Sequence, residues 1–197
     1  MEWAASLTRQ LLAYAGKGAL VRTPVSVSVI AEKTIQLLKS SAPRMVEVQR
    51  DLAPNLPPII MDPMQLEQLF INLILNGIEA FGEKQHGLVT VSTGRLDGFL
   101  RLAVSDSGSG MDQATQKRMF EPFFTTKFVG RGLGLAAVGG MVRSLHGQIS
   151  VESALGCGTR IQILLPLTNS PDARDPLAVP AARAAVAGGN ACSQQAT

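Results

Sequence analysis

Phe120-Glu-Pro-Phe-Phe-Thr-Thr-Lys127-Phe-Val-Gly130-Arg-Gly132-Leu-Gly134-Leu135 is the stretch that decides how the rest of the chain is read. Four of the seven phenylalanines fall between residues 120 and 128, with Lys117, Arg118, Lys127 and Arg131 around them. A loop this aromatic either docks its rings into a core or forms a lid over a ligand, and the two readings are compatible. Three alternating glycines then open an apolar run that predicts a helix over 135–146. Backbone amides at such a start, with the helix dipole behind them, make an anion site. Gly132-x-Gly134-x-x-Ala137 with Glu152 downstream also fits a dinucleotide fingerprint, but that motif needs a buried strand before its first glycine. Here Phe-Thr-Thr-Lys-Phe-Val precedes it, and no βαβ unit is present. Gly16-Lys17-Gly18 lacks the spacing and the hydroxyl residue of a P-loop.

Upstream lies Val104-Ser-Asp106-Ser-Gly108-Ser-Gly110-Met111, directly after a predicted strand. Alone it reads as a turn. Beside an anion site it offers a carboxylate for an exocyclic amine such as adenine's, and Gly108 and Gly110 let backbone pass close to a flat base. Further upstream, Asp62-Pro63 is a helix start, an N-cap followed by proline at the first helical position. The helix is expected to run to about Phe81. Gln65, Gln68, Asn72, Asn76 and Glu79 share its polar face, while Leu66, Leu69, Phe70, Leu73 and Ile74 point elsewhere. Asparagine is a poor helix former, yet two stand at i and i+4, where their oxygens could converge on a hard cation such as Mg²⁺. Gly77 would admit close approach of another element.

The remaining pattern predicts helices over 3–15 and 28–41, strands over 45–51, 88–93, 99–105, 148–153 and 159–165, a short strand within 56–62, and an irregular stretch over 112–134. Thr23-Pro24 marks a boundary. Helices with several antiparallel-looking strands predict an α+β, two-layer α/β sandwich, with a mixed, mostly antiparallel sheet and helices on one face. From about Thr168 the composition shifts to Ala, Pro, Gly, Ser and Asn, so 169–197 reads as a disordered tail or linker. The 197 residues, 46% hydrophobic and 17% charged, suit one globular domain with appendages. The net charge of +3 is small, with much of the local excess between Lys117 and Arg131 and the other basic residues scattered, which gives little support to nucleic acid as a partner. Cys157 and Cys192 form no metal-ligand set. No apolar run approaches the ~18 residues of a membrane span, and the start lacks a signal-peptide pattern. The expectation is a cytoplasmic segment without membrane contact.

In this order, the asparagine helix, both glycine segments and the intervening Phe-Glu-Pro-Phe-Phe-Thr-Thr-Lys closely resemble the catalytic ATP-binding domain of sensor histidine kinases. The superfamily also holds gyrase-type topoisomerases, mismatch-repair ATPases and heat-shock chaperone ATPases. The resemblance extends over roughly residues 23–166 and includes His146-Gly147 and Gly158-Thr159. The compact glycine segment is similar to that of hybrid kinases. It implies a Bergerat-type fold holding ATP and Mg²⁺. By position, Asn72 and Asn76 would serve the metal and phosphates, Asp106 the adenine amine, and Gly108 and Gly110 the base pocket. Thr125, Thr126 and Lys127 would belong to the lid, with Lys127 near the terminal phosphate. Gly130, Gly132, Leu133, Gly134 and Leu135 would form the phosphate-binding helix start, and Thr159 would support Asp106, with a water able to stand between them. Catalytic parts fall to Asn72, Asn76 and Lys127. Hydrolytic relatives keep a Glu four residues before the metal-binding Asn; Asn72 stands there and cannot act as a base near neutral pH, which favours phosphoryl transfer over hydrolysis.

The family's phosphoacceptor histidine, with its acidic and Leu-Arg-x-Pro flank, has no match. His86 sits in a predicted loop and His146 at a helix end. Residues 1–22 read as the end of a dimerisation helix, 23–168 as the catalytic domain and 169–197 as tail. The expected partners are ATP, a histidine-bearing dimerisation domain and a response regulator receiver domain. The leading expectation is a kinase catalytic domain acting on a histidine in trans. The alternatives are a non-catalytic ATP-binding regulatory module and a chaperone- or topoisomerase-like ATPase.

Overall fold

The computed structural model describes residues 21–39, 43, 45–81, 86–127 and 132–167. The expected helix over 3–15, the tail over 169–197 and Gly130 lie outside the described residues. The elements run β1 (Thr23–Val25), α1 (Val27–Lys39), β2 (Val46–Leu52), β3 (Ile59–Met61), α2 (Pro63–Ile78), β4 (Gly87–Leu96) and β5 (Phe99–Asp106). After these come α3 (Gln113–Arg118), α4 (Gly134–Ser144), β6 (Gln148–Ser153) and β7 (Thr159–Pro166).

Five strands form one sheet in the order β2-β4-β5-β7-β6. β2 pairs parallel to β4 and every other pair is antiparallel, so the sheet is mixed and mostly antiparallel as the pattern predicts. Alternate residues share a face. One row across the core face is Val151, Ile161, Val104 and Val91, on β6, β7, β5 and β4. The row two residues along is Ser153, Thr159, Asp106 and Val89. A carboxylate thus ends a core-facing file of a central strand. Against this face pack Ala31 and Ile35 of α1, Leu66, Leu69, Phe70, Leu73 and Ile74 of α2, and Val138, Met141 and Val142 of α4, all buried.

Asp62 caps α2 as expected: its carboxylate accepts from the Met64 amide at 2.8 Å, with Pro63 in the first turn. Asp62→Ala is expected to lower stability by about 1 kcal/mol, read from the midpoint of urea unfolding. The turn that closes α4 passes through His146, whose φ of 54° is left-handed, with the His146 amide donating to the Arg143 carbonyl and the Gly147 amide to the Val142 carbonyl. That closing turn accounts for the helix-end role read for His146.

Three expectations need correction. Thr23-Pro24 is not only a boundary: with Val25 it pairs antiparallel with β3, where the missing proline N–H costs little in so short a ribbon. The stretch 112–134 is not irregular throughout, since Asp112 caps α3 by accepting from the Thr115 amide at 2.7 Å. β4 and β5 are longer than read, because Asp97-Gly98 closes them as a two-residue hairpin with φ of 43° and 84°.

Candidate functional site

A cleft of about 710 Å³ opens between the sheet and the helices. At one end is Asp106. Its row position turns the carboxylate toward α2, where Gly77 leaves room: a Cβ there would press on Val89 and lie in van der Waals contact with the Asp106 side chain. Gly77 therefore does admit close approach. Met111, Val104 and Ile161 add apolar wall beside Asp106. Burial raises the Asp106 carboxyl above the ordinary carboxylate range, against hydrogen bonds from the Gly108 and Thr159 backbones and the more distant Lys127 charge. Because the folded chain holds this proton more tightly than the unfolded one, stability falls as pH rises from the ordinary carboxylate range through the folded pKa. Asp106→Asn is expected to flatten that loss, as compared by urea unfolding at several pH values.

The Asp106 turn is locked to the turn between β6 and β7. The Gly156 amide donates to the Ser109 carbonyl at 2.8 Å, the Met111 amide to Ser153 Oγ at 2.9 Å, and Ser153 Oγ sits 2.9 Å from Thr159 Oγ1. Thr159 supports Asp106 through its backbone, while its hydroxyl, through Ser153, holds the Met111 end of the turn. Gly108 is placed differently from the expectation. A Cβ on it would strike Ala80 on the α2 side, and it does not line the cleft, whereas Gly110 does.

At the other end, α2 meets the start of α4. Asn72 is buried, and its Nδ2 donates to the Gly134 carbonyl at 3.2 Å while its Oδ1 accepts from Gln68 at 3.0 Å. Asn76 Nδ2 donates to the Asn72 carbonyl at 2.8 Å, which turns Asn76 Oδ1 into the cleft. α4 begins without a side-chain cap and without an acidic residue in its first turn, so its amides face an open, positive helix end. The strap 123–127 crosses this end. The Phe123 amide donates to the Gly132 carbonyl at 2.8 Å, and Gly132, at φ 63°, lies so close to Phe123 and Phe124 that a side chain would strike their backbone.

The aromatics of the strap divide. Phe120 packs on the core and Phe124 lies under the Arg118 guanidinium at 4.3 Å, but Phe123 is 71% exposed. Lys127 Nζ bonds Glu79 Oε2 at 2.7 Å and Asn76 Oδ1 at 3.3 Å. The cleft thus gathers Asn72, Asn76, Asp106, Gly110, Thr125, Thr126, Lys127, Gly132, Leu133, Gly134, Leu135 and Thr159. Sequence reasoning missed Glu79 as a cleft residue, along with Met111 and Met119. The polar-face spacing of Glu79 after Asn76 was the available signal. Among the described residues no cluster of three or more His, Cys, Asp or Glu forms a metal site, and no helix is long and apolar enough to cross a membrane.

The cleft of this α+β domain thus has a half-buried carboxylate at one end and an uncapped helix start at the other, where a glycine-anchored strap crosses. Residues 61–169 match the family described as histidine kinase-, DNA gyrase B- and HSP90-like ATPases, and the chain belongs to that family. It is 36% identical to sporulation kinase E of Bacillus subtilis over 170 residues, covering 86% of this chain and 23% of that protein. It is 35% identical to the sensor histidine kinase ZraS of Escherichia coli K12 over 144 residues, covering 73% of this chain and 30% of that protein. The chain therefore spans less than a third of the length of these curated relatives. Among solved structures it resembles full-length ShkA in complex with AMPPNP, with 29% identity, a TM-score of 0.70, and coverage of 82% of this chain and 35% of that one. The catalytic domain of the histidine kinase ThkA shares the fold, with 24% identity, a TM-score of 0.66, and coverage of 74% and 95%.

Proposed function

We propose that the cleft binds ATP with Mg²⁺ and that the domain donates the γ-phosphoryl group to a histidine on another segment or chain, the reaction of a protein histidine kinase. The observation that supports this best is the single cleft with a carboxylate for the base at one end and helix-start amides for phosphates at the other. Asp106 accepts the adenine amine, held by Gly108 and Thr159. The amides of Leu133, Gly134 and Leu135 receive phosphate oxygens. Thr125, Thr126 and Lys127 close over them from the strap. Asn76 presents its oxygen to the cation, and Asn72 ties α2 to α4 so that both ends keep their spacing. The donor set fits a hard cation, which supplies charge neutralisation on the transferring group.

At position 72 an amide, with both its polar atoms engaged, replaces the base that would activate water, and this supports transfer over hydrolysis. His86 and His146 are both exposed and neither lines the cleft, so the acceptor is taken to lie elsewhere. ThkA, alike in fold, is known in complex with the response regulator TrrA, and a receiver domain is the proposed downstream partner here. A need for ATP supports a cytoplasmic location.

The test incubates the chain with γ-labelled ATP and a histidine-bearing dimerisation domain of a related kinase. The expected result is acid-labile label on that histidine, with little free phosphate when the acceptor is absent. ATP binding with no transfer to any acceptor would leave a regulatory nucleotide module instead. Fast acceptor-independent phosphate release would point to the hydrolytic branch.

A further inference from the structure

We infer that Asn76 and Glu79 form a cation seat at the C-terminal end of α2, filled by the Lys127 ammonium when the cleft is empty and taken over by the divalent cation that enters with the nucleotide. Glu79 is then a second protein ligand to that cation. This rests on reading the cleft as a Mg-ATP site and adds what the chain itself holds there.

The seat is built from the backbone upward. α2 ends at Glu79 with a carboxylate on its capping residue and no basic residue in its last turn. The negative end of the helix dipole is therefore uncompensated from within the helix. Compensation comes from Lys127, forty-eight residues later in the chain, whose ammonium meets both Glu79 Oε2 at 2.7 Å and Asn76 Oδ1 at 3.3 Å. The Asn76 oxygen is not free to rotate away, because its Nδ2 is held by the Asn72 carbonyl. One fixed neutral oxygen and one carboxylate, converging on one cation, suit a divalent ion that takes few protein ligands and completes its shell with phosphate oxygens and water.

Only two carboxylates line the cleft among the described residues, and the other, Asp106, is engaged by the Gly108 and Thr159 backbones. Glu79 is the one within reach of Asn76. An ion pair this open, with the Lys127 side chain 36% exposed and that of Glu79 54%, is weak and easily exchanged. Exchange has a second consequence. A cation on Glu79 and Asn76 repels the ammonium, and Lys127 sits on the strap beside Thr125 and Thr126, so the displaced charge is directed to the phosphates. The strap and the cation then report each other's state through one side chain.

The experiment uses the full 197-residue chain, ATP, and Mn²⁺ as a spectroscopic substitute for the cation. Dissociation constants are measured for Mn-ATP by electron paramagnetic resonance, for ATP in excess chelator by calorimetry, and for Mn²⁺ alone. Glu79→Gln is expected to weaken Mn-ATP by about tenfold to a hundredfold, the loss typical of a group supporting a metal. Metal-free ATP should bind that variant unchanged or more tightly, since a negative charge beside the phosphates is gone. Lys127→Met should bind Mn²⁺ alone more tightly than the unsubstituted chain, because the seat is vacated. Equal shifts of the two ATP constants in Glu79→Gln, or no shift in either, would overturn the proposal, as would unaltered Mn²⁺ binding in Lys127→Met. Failure of the cleft reading is distinguishable, because the unsubstituted chain would then bind neither form of ATP. All the altered side chains are partly exposed, and unchanged circular dichroism melts check that the fold is kept.

Discussion

Gly158→Ala is expected to destabilise the domain by about 2–5 kcal/mol, the sum of a left-handed residue's cost and an overpacked contact. Gly158 has φ 79°, where an L side chain is strained, and a Cβ would fall against the Asp106 carbonyl oxygen. That oxygen belongs to strand backbone and cannot swing aside. Relief would require β5 and β7 to part where Asp106 pairs with Thr159. Gly156 is the internal control: its φ is 75°, but nothing lies near its Cβ position. Gly156→Ala should therefore cost only the conformational part, about 1–2 kcal/mol. Urea unfolding of both variants separates the two contributions. Equal losses would show that the close approach of Gly158 to the Asp106 carbonyl adds no penalty.

Asp106→Asn is expected to weaken ATP binding by roughly tenfold to a hundredfold, the worth of a hydrogen bond to a charged group, while stability at neutral pH should be kept or raised. The two effects have opposite signs because burial works against the charged carboxylate in the empty domain. A purely structural role would lower both together. Base choice gives a second readout. An amide can donate to the carbonyl that guanine carries in place of adenine's amine, so the preference for ATP over GTP should narrow. Acidification should weaken ATP binding at a pH above the ordinary carboxylate range, since the raised folded pKa protonates the acceptor early. Calorimetric titrations of ATP and GTP across pH check all three. Unchanged ATP affinity in the variant would remove Asp106 from the base pocket.

Much of the domain was legible locally. The period of α2, its Asp62-Pro63 start, the alternation of the sheet strands and the His146-Gly147 helix end each depend on neighbours within one or two turns. The elements missed were short and held up by partners far along the chain. β1 has three residues and exists as a strand through β3, and α3 has six residues and no buried side chain. The parallel pairing of β2 with β4 likewise has no local signature.

The site divides along the same line. The amino-acid order alone determined the family, the asparagine helix, the Asp106 turn and the glycine-opened helix, because residue type and close spacing carry that chemistry. Register between distant strands decided that Asp106 ends a core-facing row, and so is desolvated. Backbone approach across the fold decided that Gly108 faces Ala80 and that Gly110 borders the cleft. Only tertiary structure brought Lys127 onto Glu79 and Asn76, since a charge finds its partner through space, and nothing in the spacing of those residues along the chain encodes that distance.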